Sequence, residues 1–424
     1  MLELNFLREH REEAQQRLSK RNLDAAALLD TARSLDDDRR RTQTELDGLL
    51  AEMNGLSRTI GELMKSGRKA EAEAARARTT ELKATTAALK DKLDAAEQAL
   101  RDHLCTIPNA PSAKVPPGRT PEENTVVMQE GAIPELGPHA KPHWELGEEY
   151  DLLHMDLGVK LTGAGFPVYS GQGAKLQRAL IAFFLDKATE AGYREIIPPH
   201  MVNADSAFAT GQLPDKEGQM YHATADGLYL IPTAEVPITN LYRDDIVDAA
   251  RLPIKLVGYT PCFRREAGSY GAHVRGLNRV HQFDKVEIVR IEKPENSYAV
   301  LEEMVEHVKD LLRALELPFR QLLLCGGDMG FASAMTYDME VYSAAQQRWL
   351  EVSSISNFET FQSNRLKLRY RGEDKKPTLA HTLNGSALAL ARIVAALLEN
   401  NQTPEGIRIP KALQPYTGFA MITR

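Results

Sequence analysis

The 424-residue sequence predicts an α+β protein in which an N-terminal antiparallel coiled-coil hairpin precedes a domain with a mainly antiparallel sheet flanked by helices. Three observations predict this class: a heptad repeat confined to the first hundred residues, a Pro-rich segment after it, and mixed helical and strand-like patterns beyond, without βαβ periodicity. We therefore expect a helical arm over residues 1–106, with the hairpin at about 28–100, a linker over 107–120 and a second domain over 121–424.

The hairpin is predicted from two seams whose residues are spaced alternately by four and three positions. The first seam consists of Leu28, Ala32, Leu35, Arg39, Thr42, Leu46, Leu49, Met53, Leu56, Ile60 and Leu63. The second consists of Ala72, Ala75, Thr79, Leu82, Thr86, Leu89, Leu93, Ala96 and Leu100. Ser66-Gly67 separates them, so two helices of roughly 45–55 Å should fold back on each other. On its own this pattern favours a spacer or dimerisation element over a nucleic-acid role, because the exposed cations are interleaved with acids.

Composition narrows the classes of function. The net charge of −7 argues against a protein held to nucleic acid by charge alone, so any RNA contact needs local basic patches. Cys105, Cys262 and Cys325 are too widely spaced for a CxxC metal site and odd in number for a disulfide framework. We expect reduced thiols, no zinc and a cytoplasmic location, since neither a signal peptide nor a membrane-spanning run is found.

Two strand-like runs, 255–265 and 281–290, carry polar side chains that are poor core material. Alternation along a strand puts Arg264 and Glu266 on one face of the first run. One face of the second run carries Phe283, Lys285 and Glu287. Charges are seldom buried unpaired, so two such runs joined by the glycine-bearing loop 267–276 predict a ligand-binding platform.

The run over residues 261–289 resembles motif 2 of the class II aminoacyl-tRNA synthetases, in the form found in their seryl branch. The resemblance implies that Arg264 contacts the α-phosphate of ATP and the serine carboxylate, a role that suits the fork of a guanidinium. It implies that Glu266 contacts the adenine amino group and that Phe283 stacks on the adenine ring. Glu287 would accept hydrogen bonds from serine.

Two further segments match the seryl branch. Thr233-Ala234-Glu235 resembles its Thr-Ala-Glu signature, which implies that Thr233 and Glu235 line the serine pocket, although alone this pair would be a helix cap.

The run Glu351-Val352-Ser353-Ser354 resembles the family's Glu-[Val/Ile]-Ser-Ser sequence, which implies that all four residues bind ATP. Glu351 and Ser354 would also hold Mg²⁺. Their odd spacing requires a bulge or a strand end between them if both reach the ion.

The segment 383–400 resembles class II motif 3. We expect Gly385 to turn a strand into an almost wholly apolar helix whose only cation is Arg392. The resemblance implies that Arg392 contacts the γ-phosphate, that Asn384 and Ser386 line the serine pocket, and that Arg264 and Arg392 are the catalytic residues. Without that context, Arg392 would fit a snorkelling or ion-paired arginine equally well.

A weaker match, over residues 192–199, resembles motif 1, which implies a homodimer interface. Taken together, the resemblance implies an enzyme that activates L-serine with ATP to seryl-adenylate and pyrophosphate. It would then transfer serine to serine tRNA bound by the arm, with selenocysteine tRNA left open as a second substrate. Arg265 and the Ala272-His273-Val274 loop depart from the family's pattern, so the handover to tRNA is open too.

Two alternatives remain at this point. A related ligase that charges a carrier protein would lack the long arm. An inactive coiled-coil paralogue would have no need to keep four residues that the resemblance assigns to catalysis and ATP binding. These are Arg264, Glu266, Glu351 and Arg392.

Overall fold

The structure is a computed structural model that describes residues 1–215, 217–267, 271, 274–372 and 375–424. The chain forms two compact units. The helical unit consists of Leu2–Ser19 and Leu23–Pro108, and the sheet unit consists of Met1, Lys20–Asn22 and Asn109–Arg424. Within the described residues, no helix has both the length and the apolar character needed to cross a bilayer.

The helical unit is a long hairpin preceded by two short helices. Its elements are α1 (Leu4–Glu9), α2 (Arg11–Ser19), α3 (Ala25–Lys65) and α4 (Lys69–Thr106). Asp24 begins α3 by accepting a hydrogen bond from the Ala27 N–H at 3.1 Å. The predicted turn is confirmed, and Gly67 in it has φ +75°. At 41 and 38 residues, the helices are about 60 Å long, somewhat longer than expected.

The predicted seams are the faces on which the two long helices meet. Every seam residue is buried or partly buried in the structure. Leu46, Leu89 and Leu93 form a leucine cluster between the helices. The Thr42 hydroxyl, also buried, donates to the Asp38 carbonyl of its own helix at 2.9 Å, which is why a polar residue is tolerated in the seam.

The sheet unit mixes short helices with strands of very different lengths. Its helices are α5 (His143–Glu149), α6 (Met155–Leu161), α7 (Gly171–Glu190), α8 (Ala204–Thr210), α9 (Glu235–Asn240), α10 (Ser297–Ala314), α11 (Phe361–Leu366), α12 (Leu390–Asn400) and α13 (Gln414–Thr417). The strands are β1 (Thr125–Glu130), β2 (Leu153–His154), β3 (Val168–Tyr169), β4 (Arg194–Glu195), β5 (Met201–Val202), β6 (His222–Ala223), β7 (Leu228–Leu230), β8 (Ile246–Asp248), β9 (Ile254–Phe263), β10 (Gln282–Glu292), β11 (Phe319–Leu323), β12 (Met335–Ser343), β13 (Arg348–Asn357), β14 (Arg369–Arg371), β15 (Pro377–Leu379), β16 (His381–Ala389), β17 (Gln402–Thr403), β18 (Gly406–Arg408) and β19 (Met421–Ile422).

The main sheet has the strand order β1-β11-β12-β13-β16-β10-β9-β4. All neighbours in it are antiparallel except β4, which pairs with β9 in parallel. The mainly antiparallel sheet predicted from the sequence is therefore confirmed. The short strands form four small sheets: β2-β3, β5-β7-β6, β15-β14-β8 and β17-β18-β19.

Alternation along β10 separates the core from a polar face. Val286 and Ile288 enter the large core that α7, α10 and α12 share with the sheet. Val289 and Ile291 point the other way, into a second apolar cluster. The polar residues earlier on β10 lie on the same side as this second cluster, where the apolar core is interrupted.

The start of the Pro-rich segment after α4 is held in place by side-chain hydrogen bonds. Asn109 is buried, and its side-chain amide donates to the carbonyls of Ala332 at 2.9 Å and Phe358 at 2.8 Å. These bonds join the segment to loops at the end of the main sheet.

Two sequence-based expectations are wrong in detail. Gly385 lies inside β16 instead of turning the chain, and a Cβ there would come within 3.0 Å of the Ile355 side chain, so close strand packing explains the glycine. Strand β9 ends at Phe263, so Arg264 and Glu266 lie beyond its regular part. Glu266 has φ +48°, a left-handed conformation in which the simple alternation no longer holds.

Candidate active site

A cavity of about 460 Å³ lies in the sheet unit, between the polar face of β10 and the start of α12. It is lined by every site residue predicted from the sequence: Thr233, Glu235, Arg264, Glu266, Phe283, Glu287, Glu351, Val352, Ser353, Ser354, Asn384, Ser386 and Arg392. The fold thus brings into one cavity residues that are scattered over positions 233–392. The individual roles given to these residues remain predictions.

A buried ion pair forms the floor of the cavity on β10. Lys285 Nζ lies 2.7 Å from Glu287 Oε2, and both side chains are less than a tenth exposed. The Ser386 hydroxyl on neighbouring β16 donates to the same carboxylate at 3.3 Å. Both groups are largely removed from water, so the attraction between them offsets part of the cost of burying each one.

Glu235 brings a second carboxylate to this part of the cavity. It is the first residue of α9, and its N–H donates to Thr233 Oγ1 at 3.2 Å, so the helix-cap interpretation also describes a real contact. Gln362 donates to its side chain at 2.6 Å. Burial, together with the nearby charge of Glu287, raises the pKa of Glu235 to about 7. Glu235 can therefore change its charge near neutral pH.

At the other side of the cavity, an arginine covers an aromatic ring. The Arg264 guanidinium carbon lies 5.3 Å from the centre of the Phe283 ring, a cation–π distance. Arg264 Nε donates to the Pro232 carbonyl at 3.4 Å. Glu266 is paired with Arg279, which also lines the cavity.

The bulge required between Glu351 and Ser354 is present. Glu351 is opposite Glu340 of β12 and Ser353 is opposite Met339, which leaves Val352 as the extra residue of β13. Glu351 is exposed to the cavity, whereas Ser353 is buried and donates to the Ser386 carbonyl at 2.6 Å. The bulge allows Glu351 and Ser354 to line the same cavity.

Asp338 lies beside these residues on the neighbouring strand β12, where it is paired with Ser354. Its side chain is buried, and burial together with the charge of Glu351 holds the pKa of Asp338 well above its usual range, despite a hydrogen bond from Ser354. A neutral Asp338 would limit the negative charge behind Glu351. The sequence drew no attention to Asp338, since a lone Asp in a strand carries no motif.

Arg392 lies in the first turn of α12 and lines the remaining side of the cavity. Its Nε donates to the Asn278 carbonyl at 3.0 Å and its Nη1 donates to the Glu351 carbonyl at 2.7 Å. The Glu351 carboxylate is 3.7 Å away, a loose contact. Arg392 is therefore anchored by backbone carbonyls, which do not neutralise it, and its charge remains directed at the cavity.

Sequence reasoning missed several lining residues. One of them is Lys285, whose position between Phe283 and Glu287 on the polar strand face is the signal that could have placed it in the site. The others are Leu277, Asn278, Arg279, Val280, Gly330, Ser356, Phe358, Ala389 and Ala391. The resemblance to the family gives none of them a role.

Part of the glycine loop between β9 and β10 is outside the described residues, namely 268–270 and 272–273. The unusual Ala272 and His273 fall in this gap. Arg265, which also departs from the family's pattern, lies within the described residues, and its N–H donates to the Gln219 carbonyl at 2.9 Å.

The mainly antiparallel sheet, with a cavity that gathers two arginines, an aromatic ring and several acids, is that of a class II aminoacyl-tRNA synthetase, as comparison with known families shows. The family model "tRNA synthetase class II core domain (G, H, P, S and T)" matches residues 220–401, and the model "Seryl-tRNA synthetase N-terminal domain" matches residues 1–111. A serine–tRNA ligase of Salinibacter ruber is 49% identical over 424 residues, covering 100% of this chain and 99% of that protein. The chain belongs to the seryl-tRNA synthetase family, and it is an ATP-dependent serine–tRNA ligase.

Solved structures agree with this assignment. A seryl-tRNA synthetase from Pyrococcus horikoshii complexed with ATP matches with a TM-score of 0.89 and 33% identity, covering 100% of this chain and 99% of that chain. A cytoplasmic serine–tRNA ligase from Naegleria fowleri in complex with AMP matches with a TM-score of 0.85 and 25% identity, at the same coverage. Since these proteins and the N-terminal family model include the arm, the carrier-protein alternative is not supported.

Proposed function

We propose that the cavity binds ATP and serine next to each other and that its two ends have different tasks. At one end, Glu235 and Glu287 receive the serine ammonium and hydroxyl groups. At the other, Phe283 stacks on adenine while Glu266 accepts a hydrogen bond from its amino group. The observation that carries the proposal is the convergence in one cavity of acids at one end and of an arginine-covered ring at the other.

Arg264 and Arg392 stand where negative charge would concentrate in the reaction. A serine carboxylate oxygen attacks the α-phosphorus of ATP, the bond to the β-phosphate oxygen breaks, and pyrophosphate leaves with the electron pair. Arg264 orients the attacking carboxylate and the α-phosphate, and Arg392 holds the γ-phosphate. In the second step the terminal ribose hydroxyl of tRNA attacks the acyl carbon of the adenylate, and AMP leaves.

Mg²⁺ would be held by Glu351 and Ser354. Their donors, a half-exposed carboxylate and a hydroxyl on either side of the bulge, fit an ion that prefers oxygen and shares its ligands with phosphates. When bound with ATP, the ion offsets phosphate charge. We expect Glu351→Gln to raise the Mg²⁺ concentration needed for half-maximal pyrophosphate exchange, and an unchanged requirement would remove Glu351 from the ligand set.

The helical unit would bind serine tRNA through exposed cations along its two long helices. Those that are exposed include Arg40, Arg58, Lys65, Lys69 and Arg76. Others already pair with carboxylates: Arg41, Arg68 and Arg78. The first group is therefore better suited to phosphate contacts, which release counterions and make binding salt-dependent.

We also propose a cytoplasmic homodimer. In the motif 1 segment Ile197 is 85% exposed, which is unusual for a large apolar side chain and fits an interface residue. The three cysteines are free and buried, as suits a reducing compartment. Sedimentation velocity would test the dimer, and a monomer at micromolar concentration would contradict it.

The assignment of Arg392 is tested by Arg392→Lys. A lysine keeps the charge but loses the planar fork, so we expect about a 10–100-fold loss in the rate of serine-dependent ATP–pyrophosphate exchange with little change in melting temperature. Exchange is measured with each of the twenty amino acids to establish that serine alone supports it. Full turnover in a variant that melts early would make Arg392 a structural residue.

A further inference from the structure

Outside the cavity, a buried histidine and a buried glutamate join the start of α5 to the end of α12. His143 and Glu399 have fully buried side chains, and His143 Nδ1 lies 2.6 Å from Glu399 Oε1. The His143 main-chain N–H donates to the same oxygen at 2.9 Å. Because Pro142 offers α5 no side-chain cap, Glu399 acts as the cap from a distant element.

The charge of Glu399 is maintained by its neighbours. Burial alone would raise its pKa, but hydrogen bonds from His143 and Ser343 outweigh it, and the pKa of Glu399 lies below its usual value. Gln346 adds a donor at 2.8 Å. The carboxylate is thus a fully satisfied acceptor within the core.

The far side of the imidazole holds the end of the glycine loop. His143 Nε2 accepts the Leu277 N–H at 2.8 Å, so the proton must be on Nδ1, facing Glu399. Gly276 has φ +65°, and a Cβ on it would come within 2.3 Å of Nε2. Only a glycine lets the chain pass this closely to the ring.

Asn278, the next residue, is held by hydrogen bonds to two other residues. The Asn278 side chain donates to Gln346 Oε1 at 2.8 Å, and Gln346 in turn contacts Glu399. The Asn278 carbonyl accepts from Arg392 Nε at 3.0 Å. Arg392 and Glu399 are seven residues apart, or two turns of α12, and so lie on one side of this helix.

We propose that His143 and Glu399 are positioning residues for the part of the active site around Arg392, where the γ-phosphate is proposed to bind. Helix α12 holds the Leu277–Asn278 segment at both of its ends, through Glu399 and His143 at one and through Arg392 at the other. Both segment residues line the cavity. The pair thereby fixes the end of the glycine loop and the surface against which Arg392 is oriented. The inference rests on the proposed assignment of this cavity to ATP.

His143→Ala tests the proposal by kinetics. A misplacement on the order of 1 Å can cost about a hundredfold in rate, so we expect kcat/KM for ATP in pyrophosphate exchange to fall about 10–100-fold. The KM for serine should change less than about threefold, since Glu287 is held by Lys285 and not by this network. Glu399→Gln keeps an acceptor for His143 and should retain activity within a few-fold of the unaltered enzyme.

Controls separate positioning from stability. His307→Ala, at a partly buried histidine of α10 that does not line the cavity, should leave the ATP and serine KM values unchanged even if it lowers the melting temperature. If His143→Ala does not fold, Gln346→Ala leaves His143 and Glu399 in place but removes the hydrogen bonds of Gln346 to Asn278 and Glu399, and it should raise the KM for ATP about 3–10-fold.

A kcat/KM for ATP within twofold of normal in both Gln346→Ala and any folded His143 variant would overturn the proposal. That outcome, combined with slow exchange in Arg392→Lys, would leave the ATP assignment intact and reject the positioning role. Normal exchange in Arg392→Lys would instead reject the ATP assignment itself.

Discussion

The helical unit and the sheet unit satisfy their buried polar groups in opposite ways. In the hairpin, Thr42 donates to a carbonyl four residues earlier, and its seam contacts one partner helix. In the sheet unit, Glu235 is bonded by Gln362, 127 residues later, and His143 by Glu399, 256 residues later. We therefore expect that the hairpin can be excised whole with the loss of its function alone. At the active site, by contrast, function should depend on individual residues that are distant in sequence from the groups they bind.

The helical unit also contains polar contacts between residues that are distant in sequence. Asp36 is buried in α3, where Arg8 of α1 donates to it at 2.6 Å and Arg39 at 3.1 Å. This network ties the short first helix to the base of the hairpin. The two units thus differ in how often a buried polar group depends on a partner that is distant in sequence. Three experiments test this difference.

The largest effect is expected at the buried ion pair. Glu287→Ala should lower kcat/KM for serine in pyrophosphate exchange by about a thousandfold or more, because it removes a substrate contact and leaves Lys285 without its counter-charge. Binding of ATP, measured by equilibrium dialysis, should persist.

A double variant separates folding from chemistry at this pair. Glu287→Gln with Lys285→Met removes both charges, and it should regain melting temperature without regaining serine-dependent exchange. Unchanged serine kinetics in Glu287→Ala would show that Glu287 does not contact the amino acid.

A smaller effect, limited to one reaction step, is expected from excising the hairpin. Removing residues 31–99 and rejoining the ends by a short flexible turn should leave pyrophosphate exchange intact, since every proposed serine and ATP contact lies beyond position 232. Charging at limiting tRNA should fall roughly a hundredfold and lose most of its salt dependence, because each lost phosphate contact removes a counterion-release contribution. Charging kinetics equal to those of the intact enzyme would make the hairpin a spacer.

The smallest effect concerns pH. The pKa of Glu235 is raised to about 7, so its carboxylate is lost as the pH falls through 7, and the KM for serine should rise several-fold between pH 8 and pH 6. Because this pKa is higher in the folded protein than in the unfolded chain, the folded protein loses stability as the pH rises above the pKa of the unfolded chain. Glu235→Gln should therefore melt at a higher temperature than the unaltered enzyme at pH 8. The Gln variant should show a flat pH profile, and retention of the slope would assign it to another group.

Much of the site could be predicted, because its polar residues interrupt apolar patterns on identifiable strands. The row from Phe283 to Glu287 is confirmed as one face of β10, and the bulge at Val352 follows from the spacing of Glu351 and Ser354. The prediction that Gly385 turns the chain is wrong, since a glycine needed for close packing inside a strand looks the same in sequence as one needed for a turn.

The sequence by itself determined the hairpin, down to its seam residues and its turn, because helix pairing depends on spacings of three and four residues within one segment. It also determined which strand faces are polar. Only the tertiary structure decided that Asp338 is paired with Ser354 across two strands, that Gln362 donates a hydrogen bond to Glu235, and that Glu399 accepts one from His143. Such partners are set by strand order and by the packing of helices on the sheet, and no local pattern encodes which distant residue will be opposite.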